Sequence, residues 1–156
     1  MIYVWNVVKN KLKTQLYQVN WSWSHDLDDV LEKKFKGLTI LNFPSGKSRI
    51  GLRADLDPTV DPDILADLFL PQENFKPGSF EVVICDPPFQ YYNKFKWVLE
   101  IKDICSKYFV LCTPCQFYSF KGFSDPEIIA ARGSRTGCST FLRFFFIYKK
   151  LNHSII

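Results

Sequence analysis

Asp86-Pro87-Pro88-Phe89 follow directly on an apolar run, Phe80-Glu81-Val82-Val83-Ile84-Cys85. A buried strand that ends this way presents a carboxylate, rigid backbone carbonyls free of competing proline N–H groups, and a flat ring. Together these can hold a planar amino group and stack the ring that bears it. The plainer reading is a strand stop, since two consecutive prolines end any ladder. Acids elsewhere in the chain decide between the two, because Asp55 and Asp67 also fall where apolar runs finish. A set of carboxylates at several strand ends is a ligand site more readily than a set of unrelated turns.

These residues need elements to position them. Short apolar runs predict strands at 39–43, 51–55, 63–67, 80–85 and 108–112. A first helix is signalled by Ser24 or Asp26 as its cap and by Leu27, Val30, Leu31 and Phe35 on one face. Asp28 and Asp29 lie near its start, Lys33, Lys34 and Lys36 near its end, and Gly37 follows as a stop. A second helix is expected over 91–106, where Tyr92, Phe95, Trp97, Val98, Leu99, Ile101, Ile104 and Cys105 surround the axis and predict nearly complete burial. Residues 126–132 and 139–149 read as strands of a hairpin turning at Gly133-Ser134-Arg135-Thr136-Gly137. The order implies an α/β chain with a largely parallel sheet and one antiparallel strand.

The connections are unusually short. Nine residues, Pro44 to Leu52, separate the first of these strands from the acidic stretch that starts at Arg53, whereas a parallel crossover usually takes about a dozen. A loop or single turn must replace the helix, leaving one sheet face poor in helices. The N-terminal segment or a second copy of the chain is expected to cover it.

Asp86-Pro87-Pro88-Phe89 resembles the [DNS]-P-P-[YFW] motif of class I S-adenosylmethionine-dependent N-methyltransferases. Three further stretches resemble that family in the same order. Thr39 to Gly46 resembles the first strand and cofactor loop, Arg53-Ala54-Asp55-Leu56-Asp57-Pro58 the second strand with its terminal acid, and Ala66 to Pro71 the third. The resemblance spans about residues 38–114 and implies a trimmed, Rossmann-like class I methyltransferase sheet, mostly parallel with a C-terminal antiparallel hairpin. It implies S-adenosyl-L-methionine as cofactor, held by Asn42, Pro44, Ser45, Gly46, Asp55, Asp67 and Leu68. Asp55 would accept from ribose hydroxyls and Asp67 from the adenine amino group. Asp86, Pro87, Pro88 and Phe89 would be catalytic, with Phe89, Tyr91 and Tyr92 forming the platform for the acceptor base. Asn42 stands where the family carries an acid, and Gly46 is the only glycine of the Thr39 to Gly46 stretch.

The activity so implied is methyl transfer to an exocyclic amine of a nucleic-acid base, adenine N6 in DNA foremost, with a base that is unpaired or flipped out. Alternatives are an RNA base, a protein side-chain amine, or an inactive scaffold of the same fold that partners an active subunit.

Composition bounds these readings. At 156 residues with 17% aromatic content, one domain is expected over 1–156. It divides into an N-terminal segment and helix (1–37), a cofactor and catalytic core (38–114) and a hairpin region (115–156). The net charge of +4 is compatible with a nucleic-acid substrate, and Lys94, Lys96, Lys121, Arg132 and Arg135 are candidate phosphate contacts. With so little length for a target-recognition module, sequence selectivity would be short or supplied by a homodimer.

No apolar run reaches about 18 residues, so no membrane span is expected. The start of the chain lacks a signal-peptide pattern, and a cytoplasmic location is expected. Five cysteines, an odd number, argue for free thiols. Cys112-Thr113-Pro114-Cys115 is a lone C-x-x-C, short of the four ligands of a structural zinc site, and no metal is expected. Gly46-Lys47-Ser48 mimics the end of a phosphate-binding loop, but the pattern requires a glycine where Leu41 stands.

Overall fold

A computed structural model describes residues 2–5, 25–88, 96–113, 118–134 and 140–151 of the chain. In chain order the elements are β1 (Ile2–Trp5), α1 (His25–Lys34), β2 (Ile40–Asn42), β3 (Leu52–Asp55), β4 (Ile64–Leu65) and β5 (Phe80–Cys85). They continue with α2 (Lys96–Ile104), β6 (Cys105–Thr113), β7 (Glu127–Ser134) and β8 (Thr140–Lys149). Seven strands form one mixed sheet and the two-residue β4 adds an eighth at its edge, in the order β1-β7-β8-β6-β5-β2-β3-β4. Only β8 runs against the others, between β6 and β7. The architecture is α/β, mostly parallel, with a C-terminal antiparallel hairpin.

Both faces of the sheet are covered, and for this reason the central strands are almost continuously apolar. Leu41, Val83, Cys85, Phe109, Leu111 and Tyr148 pack with Trp97, Val98, Ile101 and Ile104 of α2. On the opposite face Val82, Ile84, Val110, Phe145 and Ile147 pack with Leu27, Leu31 and Phe35 of α1 and its trailing turn. The period-two alternation of side chains along β5, β6 and β8 assigns each residue to its face. The N-terminal segment thus supplies the cover over the second face.

Two expectations need correction. The second helix begins at Lys96 among the described residues, and Cys105 opens β6 instead of ending the helix. That helix is also a striped one. Leu99 is 44% exposed and Lys96 and Asp103 face solvent beside it, because only one side of α2 meets the sheet. Residues 91–95, with Tyr92 and Phe95, lie outside the described residues. β1, which no pattern in the sequence announced, pairs in parallel with β7 at the far edge.

The short connections fold as single turns. Phe43 to Gly51 links β2 to β3 through a turn closed by Ser48 N–H donating to Ser45 O at 3.1 Å. A 3₁₀ turn at Pro58–Val60 links β3 to β4. Gly51 sits at φ +63°, where a Cβ would lie 2.5 Å from Ile40 O. Only glycine lets the loop re-enter the sheet that close to β2.

From β2 the chain steps outward to β3 and β4, then crosses back to β5 on the other side of β2 and proceeds to β6. Strand order therefore reverses between β2 and β5. In open α/β sheets the crevice beyond the carboxyl ends at such a reversal is where ligands bind.

Candidate functional site

A cavity of about 400 Å³ opens at that reversal, within the size range of small-molecule pockets. Phe43, Pro44 and Gly46 line it from the loop after β2, Asp55 and Asp57 from the end of β3, Asp67, Leu68 and Phe69 from the end of β4, and Asp86 and Pro88 from the end of β5. Four stretches far apart in sequence converge there because four neighbouring parallel strands end at one level. Seven of the residues expected to hold cofactor or acceptor are lining residues: Pro44, Gly46, Asp55, Asp67, Leu68, Asp86 and Pro88.

The others lie just behind or outside the described residues. Ser45 is buried, its N–H donating to Ala54 O at 2.9 Å, so it ties the loop to β3. Pro87 is buried beside Pro88, which is exposed. Asn42 ends β2 fully buried, and neither Oδ1 nor Nδ2 has a hydrogen-bond partner among the described residues. A buried amide without partners costs about 1–3 kcal/mol, and Asn42 is not among the residues that line the cavity. Phe89, Tyr91 and Tyr92 lie outside the described residues, as do Lys94, Arg135 and Cys115.

The acids lining the cavity are held in place by backbone N–H groups. Asp55 Oδ2 accepts from Gly46 N–H at 2.8 Å and Oδ1 from Asp57 N–H at 3.0 Å, so one carboxylate clamps the loops after β2 and β3. Gly46, at φ +49°, turns its amide toward Asp55 through a left-handed conformation that suits glycine. Asp67 Oδ1 accepts from Phe69 N–H at 2.8 Å, an Asx turn. Asp57 accepts from the hydroxyl of Thr59 at 2.7 Å and from its N–H at 2.9 Å, and these bonds, the hydroxyl first, hold its carboxyl below the ordinary aspartate range. Turn-making and site-making are thus compatible roles for one carboxylate, since each oxygen carries two acceptor positions.

Asp86 has a different kind of partner. Its Oδ2 accepts from Nη1 of Arg143 on β8, and the two side chains are 4% and 8% exposed. The same Nη1 lies 4.0 Å from Cys112 Sγ on β6. Burial, followed by the charge of Asp86, pushes the Cys112 thiol well up, and the same two causes raise Cys85. Both are buried thiols, as expected for small apolar side chains in strands. Cys105, likewise buried, is pushed up to about 12.

Arg143 and the support behind the loop were not anticipated. The signal for Arg143 was present, since it is the single charge within Phe141 to Tyr148, and a charge inside a buried strand requires a partner. Asp28 of α1 is buried and accepts from Ser48 Oγ at 2.6 Å and from Arg49 N–H at 3.0 Å. A helix residue that looked like a favourable N-terminal charge in fact anchors the loop that borders the cavity.

Among the described residues no group of three or more His, Cys, Asp or Glu side chains is placed to hold a metal ion, and no helix is long and apolar enough to cross a membrane. No family model matches the chain, and no significant similarity to a curated protein or a solved structure is found.

Proposed function

We propose that this chain is an S-adenosyl-L-methionine-dependent N-methyltransferase of the class I, Rossmann-like type, acting on an exocyclic amine of a nucleic-acid base, adenine N6 in DNA in the first instance. The observation that carries this reading is the cavity at the strand-order reversal, lined among the described residues by four carboxylates and by no lysine, arginine or histidine. Such a lining favours a cationic ligand bearing hydroxyl and amino donors and repels a pyrophosphate. The connection after β2 is also a turn and not a helix, so the helix N-terminus that binds phosphates in dinucleotide and triphosphate sites is missing there. A sulfonium nucleoside fits both facts.

In this reading Asp55 accepts from ribose hydroxyls while remaining fixed by Gly46 and Asp57, and Asp67 accepts from an amino group at the β4 end. Leu68, Phe69 and Val60 give the apolar walls. When bound, the cofactor supplies an electrophilic methyl group: the acceptor nitrogen's lone pair forms the new N–C bond, the C–S pair departs on sulfur, and the nitrogen loses a proton to solvent. Asp86 and the carbonyl of Pro87 accept the amine hydrogens and aim the lone pair, which is positioning plus stabilisation of developing positive charge. Phe89 stacks on the base. Lys96 and Lys121, both exposed, are available to phosphates.

The buried Asp86–Arg143 pair favours a second reading, an inactive scaffold of the same fold, because one oxygen of the key carboxylate is already engaged. Calorimetry with S-adenosylmethionine and its demethylated product, followed by transfer of labelled methyl groups to single-stranded DNA and RNA, tests both. Binding with transfer supports the enzyme, and binding without transfer to any acceptor supports the scaffold. No binding of either nucleoside ends both.

A further inference from the structure

We infer that Arg143 determines the class of acceptor: by neutralising Asp86 it fits the pocket to an uncharged, ring-conjugated amino group and turns away an ammonium such as that of lysine. Resting on the methyl-transfer reading above, this narrows the acceptor from any amine to one that is neutral before reaction. Arg143 acts through Asp86 and is a specificity-determining, positioning residue.

The argument starts from charge. A carboxylate alone at the mouth of a buried site attracts cations, and a lysine ammonium would be its natural guest. Here Asp86 already has a cation, Arg143, with both side chains under one-tenth exposed. Screening by water is weak at that depth, so the pair offers a neighbour hydrogen-bonding directionality with little net charge. An incoming ammonium would meet a fixed guanidinium and lose its hydration without a carboxylate to itself. A base amine carries no charge to desolvate and needs only acceptors for its two hydrogens.

The neighbours on the same sheet face agree. Asn42 pairs in register with Ile84, two residues before Asp86, and Cys112 pairs with Phe145, two residues after Arg143. Along β8, β6, β5 and β2 these four described residues thus put on the face a guanidinium, a buried thiol, a carboxylate and a carboxamide, whose formal charges sum to zero. Asn42 adds a carboxamide to that face and no charge. Position explains the coupling: β8 alone runs antiparallel, so the beginning of that strand, where Arg143 sits, lies at the carboxyl ends of the parallel strands.

The test is a ratio measured on one sample, which cancels any loss of folded protein. Labelled methyl transfer is followed to a single-stranded oligonucleotide containing adenine and cytosine and to a lysine-containing peptide with blocked ends. The wild type is expected to favour the oligonucleotide by at least about a hundredfold, and Arg143→Met to lower that ratio by about tenfold or more through the lost like-charge repulsion. Arg143→Lys, which keeps the charge and also serves if the methionine variant does not fold, is expected to keep the ratio near that of the wild type.

A wild type that methylates the peptide as readily as the oligonucleotide overturns the inference while leaving the methyl-transfer reading intact. So does an unchanged ratio in Arg143→Met, or an equal fall in both variants. Cofactor binding without transfer to either acceptor overturns both.

Discussion

The two sides of the cavity are built on different principles. On the β2–β3–β4 side, three acids are fixed by backbone N–H groups two to nine residues away: Asp55 by Gly46 and Asp57, Asp57 by Thr59, Asp67 by Phe69. On the β5–β6–β8 side, Asp86 is fixed by a side chain 57 residues distant. Local backbone donors leave a carboxylate charged and ready for further donors, so the first side presents negative charge to a ligand. A buried guanidinium offsets the charge of its carboxylate, so the second side presents direction without charge. Under the proposed function, the first wall would draw in the cationic nucleoside and the second would receive the neutral base.

The sharpest way to break this contrast is to remove one member of the buried pair. Arg143→Met should lower unfolding stability by about 3–5 kcal/mol, because it strands the Asp86 carboxylate, whereas Asp86→Asn with Arg143→Met together should lose much less. Denaturant unfolding of the three proteins checks it, and equal losses in single and double variants would mean that the pair is not coupled. On the other side, Asp55→Ala should weaken binding of S-adenosylmethionine by about 1–3 kcal/mol, read by calorimetry, since ribose donors and two backbone N–H groups lose their acceptor. Asp67→Ala, which removes a single Asx-turn bond, should fall at the lower end of that range.

Support from behind the loop comes next. Asp28→Ala should cost about 1–3 kcal/mol of stability by leaving Ser48 Oγ and Arg49 N–H without their acceptor, and it should weaken cofactor binding more than a substitution at exposed Glu32. The smallest effect is acid lability. Asp57, Asp63 and Glu81 all have folded-state carboxyls held below their ordinary values by hydrogen bonds, to Thr59, to Arg53, and to Lys107 and Thr39 respectively. A lowered folded value means stabilisation that is complete above the unfolded pKa and lost as pH falls through the folded one. The loss therefore begins as pH drops below the ordinary 3.8 for aspartate and 4.5 for glutamate. Neutral amide variants at all three positions should flatten that limb of a stability–pH curve by lowering stability at neutral pH, while leaving stability in acid, where the wild-type carboxyls are already protonated, nearly unchanged.

The contrast also explains what could be read in advance. β5 was read at its observed bounds, residues 80–85, because a six-residue apolar run ending in Asp-Pro-Pro has few other solutions. α1 was legible from its apolar stripe and the glycine that follows it. The nine-residue connection was correctly expected as a turn, since chain length alone forbids a helix there. β1 was not legible: four residues at an edge, paired with a strand more than a hundred positions away, carry no local pattern. The start of β6 was misjudged because Cys105 suits a buried helix end and a buried strand equally well.

What the sequence determined by itself is the set of strand ends and the chemical groups they carry, because strand termination and turn formation are decided by neighbours a few residues apart. What only the tertiary structure decided is the company each acid keeps. The strand order sets Asp55, Asp67 and Asp86 around one cavity, and the reversed direction of β8 brings Arg143 to Asp86. Pairings of that kind depend on which strands lie side by side, a choice made by burial of both sheet faces at once and by no single stretch of chain.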